Sequence, residues 1–137
     1  MKTHTGMEII PRQECLRLLA GQTVGRLGFV VGDQPMIMPV NYALVGDIVV
    51  FRTGEGPKLD GSRQAKVVFE VDRIDADRQE GWSVLLQGVA LEITDVDDWF
   101  ADELRQAAGP TWLPVAPGHF VRIVPTLISG RRLPPAR

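Results

Sequence analysis

Phe51-Arg52-Thr53, followed by Gly54-Glu55-Gly56 and Pro57-Lys58, places two cations, a hydroxyl and a stretch of flexible backbone side by side. A strand-like run stops at Thr53, the glycines turn the chain, and Pro57 stands where proline is favoured, at the first position of a helix. Gly56 then becomes the cap and Lys58 falls in the first turn. An ammonium there opposes the helix dipole unless something negative lies between it and the free backbone amides. A phosphate monoester supplies that charge, so Arg52, Thr53, Lys58 and the amides of the turn form a candidate cradle for the phosphate of a nucleotide-like cofactor. Two features pull the other way. Glu55 repels a phosphate unless its side chain turns outward, and lysine or arginine beside a Gly-Pro turn most often faces water. Taken alone, residues 51–58 favour the solvated reading. Their spacing fits no Walker loop, and no Gly-x-Gly-x-x-Gly follows a strand.

The elements that must position this turn are short. After an arm over 1–8, residues 11–19 read as a helix with Cys15, Leu16, Leu18 and Leu19 inward and Gly21 ending it. Runs over 24–31, 36–44 and 48–53, separated by Gly32-Asp33 and Gly46-Asp47, read as a three-stranded antiparallel meander. Side chains alternate along a strand, so Arg52 and Thr53 point to opposite sides, and both touch one phosphate only where the chain curls around it at Gly54 and Gly56. A helix over 57–63 leads to strands over 67–74 and 82–94, with Gly88 marking a bulge. A second amphipathic helix over 96–108 carries Val96, Phe100, Leu104 and Ala107 on one stripe, between Asp95 and Gly109-Pro110. An irregular connector over 111–118 precedes the last strand, 119–132, interrupted around Pro125. Six strands and few, short helices predict a mainly β protein, a closed or nearly closed antiparallel barrel, with a sandwich as the alternative that the pattern alone leaves open.

At 137 residues the chain suits one domain, 1–137, with 1–8 and 133–137 as loose ends. Charged residues make up 23% and hydrophobic ones 45%, which is ordinary for a globular protein. A formal charge of −2 gives no broad attraction to nucleic acid or anionic lipid, so any anion site is local. Cys15 is the one cysteine, which excludes an internal disulfide framework. With no signal-like apolar segment near the N-terminus and no membrane-length run, the expectation is a cytoplasmic protein without membrane or nucleic-acid partners.

Five segments in order resemble the pyridoxamine 5′-phosphate oxidase-like, FMN-binding split-barrel superfamily, in particular its small, nitroimidazole-resistance-like branch. They are Val24-Gly25-Arg26-Leu27-Gly28-Phe29, Met38-Pro39-Val40-Asn41-Tyr42, Val50-Phe51-Arg52-Thr53 with Lys58-Leu59, Val68-Phe69-Glu70-Val71-Asp72, and Gly81-Trp82-Ser83-Val84-Leu85. The resemblance implies a six-stranded split β-barrel homodimer with a flavin in each interface groove. It implies that Pro39, Val40, Asn41 and Tyr42 line the isoalloxazine, with Val40 and Asn41 acting through backbone groups. By the same resemblance Phe51, Arg52, Thr53 and Lys58 hold the ribityl-phosphate side, and Trp82 and Ser83 come from the facing subunit. FMN is the implied cofactor, with F420 and FAD as alternatives. Each residue also has a plainer use. Asn41 and Tyr42 could satisfy hydrogen bonds at a strand end, Trp82 could be dimer core, and Phe69, Val71 and Val84 read as core. Glu70 and Asp72 read as edge charges, although Glu70 could face the groove.

A flavin carries its own redox chemistry while protein positions the ring. Other constellations are missing: His4 and His119 form no Ser-His-Asp set or metal pair, His119 reads as a strand cap or solvent-facing group, and Asp95, Asp97 and Asp98 read as helix-start residues. Cys15, Met36 and Met38 read as core. The C-terminus has no substrate-phosphate motif of the kind true pyridoxamine phosphate oxidases carry, and Arg131-Arg132 does not replace it, so that activity is rejected. What remains is an FMN-dependent oxidoreductase acting on a small planar acceptor, or a flavin-binding or sequestering module without turnover. An F420-dependent reductase is a third option, in which Arg26, Arg52 and Arg63 would meet the acidic tail.

Overall fold

Val67, Phe69 and Val71 are buried while their neighbours Lys66 and Val68 are exposed, and Val84 and Leu86 repeat that alternation on the partner strand. This period of two gives every central strand an inner apolar face and an outer one, and the inner faces share one core. The computed structural model describes residues 2, 6–94, 100–108 and 118–134. In chain order the elements are β1 (Glu8–Ile10), α1 (Arg12–Ala20), β2 (Val24–Val31), β3 (Gln34–Asn41), β4 (Ala43–Val45), β5 (Ile48–Thr53), α2 (Pro57–Asp60), β6 (Ala65–Asp75), β7 (Glu80–Ile93), α3 (Ala101–Ala108) and β8 (His119–Leu133).

The strands pair antiparallel in the order β3-β2-β6-β7-β8-β5-β4, with β1 added to β8. The two ends of that path, β3 and β4, are separated in sequence by Tyr42 alone. A sheet whose first and last strands are joined through one residue has to curl until its edges meet, which is the split β-barrel. Tyr42 closes the seam: its amide donates to Thr23 O at 3.0 Å, its hydroxyl donates to Leu19 O, and its ring meets Phe69 edge-on at 4.8 Å.

Among the described residues eight strands stand where six were expected. The expected strand over 36–44 divides at Tyr42 because its first part pairs with β2 and its second with β5. A further strand, β1, starts at Glu8, the last residue of the expected arm, since Glu8, Ile9 and Ile10 pair with Arg132, Arg131 and Gly130. Both hairpin glycines, Gly32 and Gly46, take φ +64° at the first central position, which a type II′ turn reserves for glycine. The bulge expected at Gly88 is present as a register shift between Gln87 and Gly88, opposite Thr126.

The first helix ends at Gly21 as expected. α2 stops at Asp60 instead of 63, because Gly61 closes it through its amide to Pro57 O at 2.9 Å. Residues 95–99 and 109–117 lie outside the described residues, including Val96 and the three aspartates of the expected helix start. In α3 the buried positions are Ala101, Leu104 and Ala108, with Ala107 only partly covered, so the stripe turns one residue from the expected one. α3 packs with Val50, Ile93 and Phe120 on the outer side of β5, forming a second, smaller core. Among the described residues no helix is long and apolar enough to cross a membrane, and no group of three His, Cys, Asp or Glu is placed to hold a metal.

Candidate functional site

β5 ends at the barrel rim. Its register against β8 sets Arg52 opposite Phe120 and Thr53 opposite His119. Phe51 is fully buried in the main core and Thr53 is buried on that same inner side. Arg52 points outward, its guanidinium 5.6 Å from the centre of the Phe120 ring and packed against Gly118, where a Cβ would sit 2.1 Å from Nε. Arg52 and Thr53 therefore stand on opposite faces of β5, so the two cannot both face one group on the same side of the strand.

That turn is built by Gly56, whose φ of +139° is accessible to glycine and strained for any other residue. The first amide of the turn to find a carbonyl is that of Asp60, on Gly56 O at 3.0 Å, so the amides of Lys58 and Leu59 have no backbone acceptor among the described residues. Thr53 Oγ1 donates to Gly54 O at 3.3 Å. Lys58 is half-buried and makes no ion pair among the described residues. Lys58 thus brings a positive charge, and the amides of Lys58 and Leu59 bring donors without a backbone acceptor, to one turn.

Glu55, the apparent obstacle, is held aside. Its Oε1 lies 2.8 Å from His119 Nε2, and His119 Nδ1 lies 2.8 Å from Glu92 Oε2. Both ring nitrogens face carboxylates, so both must donate, which requires the imidazolium. The bond to Glu92, with the charges of Glu55 and Glu92 added, raises the His119 pKa above its ordinary value. Glu92 is in turn lowered by His119 first and by Arg63, whose Nε donates to Glu92 Oε1 at 3.1 Å. His119 is thus neither a strand cap nor solvent-facing. The sequence hides this chain because it depends on the β5–β8 register.

The strand that the resemblance assigns to the ring meets the β5 rim at the seam. Val40 and Tyr42 point into the core, where burial raises the Tyr42 pKa and its hydroxyl and amide are both engaged. Pro39 is exposed and Asn41 half-buried on the other face, the side to which Arg52 also points. Trp82 and Ser83 lie elsewhere: they open β7, whose 14 residues span roughly 45 Å of extended chain before Ile93 pairs with Phe120 beside the rim. Trp82 packs against the main core, and Ser83 faces outward between Asp72 and Arg131.

The outer face of β2, β3, β6, β7 and β8 is apolar and open. Ile37 is 66% exposed and Val30 51%, and with Val68 and Val89 they border a groove of about 820 Å³. At its margin Arg26 Nη1 bridges Glu70 at 3.0 Å and Asp72 at 2.6 Å. Burial, then Asp72, pushes the Glu70 carboxyl up to about 7, with Arg26 drawing it back. Glu70 is accordingly a half-buried member of a charged triad beside the groove.

Comparison with known proteins places this architecture. Residues 11–132 match the pyridoxamine 5′-phosphate oxidase family. The FAD binding protein from Mycobacterium smegmatis is 35% identical, with 93% of this chain and 100% of that one covered at a TM-score of 0.77. A conserved protein of unknown function from Corynebacterium diphtheriae is 34% identical over 93% of this chain and 98% of its own, with a TM-score of 0.76. An uncharacterized protein of Mycobacterium tuberculosis is 33% identical over 130 residues, which is 90% of this chain and 84% of that protein. The curled sheet closed at Tyr42 and the sequence match over residues 11–132 agree: the chain belongs to the pyridoxamine 5′-phosphate oxidase family.

Proposed function

We propose that this protein binds a flavin nucleotide, FMN, with its phosphate on the 54–58 turn, and acts as an oxidoreductase on a small planar acceptor that stacks on the ring. The observation that carries the proposal is Lys58: a half-buried ammonium without an ion-pair partner among the described residues, next to amides without acceptors. Such a donor set fits a phosphate group, and the FAD-binding relative at 35% identity supports a flavin as its bearer. When bound, a flavin supplies hydride acceptance and donation at N5. The chain's own part is to fix the phosphate through Lys58 and the turn amides, with the Thr53 hydroxyl bracing the turn at Gly54 O, and to present Pro39 and Asn41 on the outer side of the seam.

The ring then lies at a homodimer interface. Trp82 and Ser83 are a strand-length from the β5 rim within one chain, so they reach a ring there only from the facing subunit. The apolar outer face supplies the surface that such a dimer covers. Of the cofactor alternatives, F420 is disfavoured because Arg26 is bound to Glu70 and Asp72, Arg63 to Glu92, and Arg52 rests on Phe120. FAD keeps a place through the relative from Mycobacterium smegmatis.

A second reading, flavin binding or sequestration without turnover, is favoured by one observation. The imidazole of His119 and the phenol of Tyr42 are both committed to internal bonds. Titration of the purified protein with riboflavin, FMN, FAD and F420, followed by anaerobic reduction with NADPH and reoxidation by a quinone, decides among these. Bleaching and recovery of bound FMN is the expected result. Tight binding with neither step supports sequestration, and no binding of any flavin overturns the proposal.

A further inference from the structure

We propose that His119 is a positioning residue for the phosphate turn, holding the Glu55 carboxylate away from the anion by tying it to β7 through Glu92. This rests on the reading of Lys58 as the phosphate ligand. The geometry is a chain of three bonds, Glu55 to His119 at 2.8 Å, His119 to Glu92 at 2.8 Å and Arg63 to Glu92 at 3.1 Å, which crosses from the turn to the central sheet and back to the segment between α2 and β6. Glu55 is 74% exposed and has no other partner among the described residues, so nothing else fixes its direction. The charged groups around the imidazole are Glu55 from the turn, Glu92 from β7 and Arg63 behind Glu92. Thr53, opposite on β5, is uncharged, and Arg52 points to the other face.

A neutral imidazole has one N–H and one bare nitrogen, so it can donate to only one of two carboxylates. On deprotonation the exposed partner, Glu55, is released, and its charge becomes free to approach the phosphate. Roughly 6 Å from a dianion in water-like surroundings, that carboxylate weakens binding about tenfold. The pKa of His119, raised first by its bond to Glu92, moves the change above its ordinary value. The phosphate, whose second pKa is about 6, is already a dianion there.

The test is the ratio of riboflavin to FMN dissociation constants, by flavin fluorescence quenching, between pH 7 and 9 in the wild type, Glu55→Gln and His119→Gln. Expected is a preference for FMN that falls about tenfold with rising pH in the wild type. Glu55→Gln should keep the high preference at every pH, and His119→Gln should show the low preference throughout. Glu55→Gln alters an exposed side chain and keeps the test valid should the histidine variant misfold. A wild-type preference for FMN that is flat with pH, or a slope that survives Glu55→Gln, overturns this inference alone. Equal affinity for riboflavin and FMN at every pH overturns the phosphate reading with it.

Discussion

Lys58 and Glu55 sit on one turn with opposite charges, and their surroundings decide which of them meets a ligand. The sequence shows both residues and the glycines between strand and helix, and from these the candidate cradle is legible. It does not show that Glu55 is drawn to His119, because that contact joins the turn to the start of the last strand. Nor does it show that Tyr42, itself one of the ring-lining positions the resemblance implies, spends its hydroxyl and amide on closing the barrel. Tyr42→Phe should cost about 1 kcal/mol, the worth of one hydrogen bond. Tyr42→Ala should cost about 3–5 kcal/mol through the cavity it leaves. Urea denaturation measures both, and equal losses would show that ring packing does not dominate. Gly56→Ala forces a side chain into a φ of +139°, a strain of roughly 1–3 kcal/mol, and should weaken FMN more than riboflavin.

Among the elements, helix 1, the meander, the two long central strands and the bulge at Gly88 were all marked by turn residues and alternation. The division of the second strand was not, because the change of partner from β2 to β5 at Tyr42 is a tertiary event that leaves no mark in the local pattern. The β2–β6 pairing likewise brings Arg26 to Glu70 and Asp72, and makes a titrating element out of expected edge charges. With the Glu70 carboxyl raised to about 7, the folded chain keeps a proton that the unfolded chain releases earlier. Its contribution to stability therefore falls as pH rises from the ordinary carboxyl range through 7. His119 adds a second loss: its bridges are complete below the ordinary histidine pKa and are lost as pH rises through the raised one. Glu70→Gln should remove the lower window of alkaline destabilisation and leave the upper one, while His119→Gln should do the reverse. Chemical denaturation at pH steps from 5 to 9 checks this, and an unchanged profile in either variant contradicts its assignment.

For the molecule as a whole, a barrel with one face left apolar invites a second copy. The sequence pattern of Val30, Ile37 and Val68 reads as ordinary alternation, and only the fold gathers these residues around one groove. Ile37→Asp changes a side chain that is 66% exposed in the single chain, so its folding stability should shift by no more than about 0.5 kcal/mol. Its mass by light scattering should drop to that of one chain, with loss of flavin. A dimer that persists in this variant would place the interface elsewhere. The most direct measurement of all compares FMN with riboflavin in wild type and Lys58→Ala. A charge-assisted bond to the phosphate is worth about 1.5–3 kcal/mol, so FMN affinity should fall roughly 10- to 150-fold while riboflavin, which lacks the phosphate, is unaffected. Equal losses for the two ligands, or none for FMN, would contradict the assignment of the phosphate to this turn.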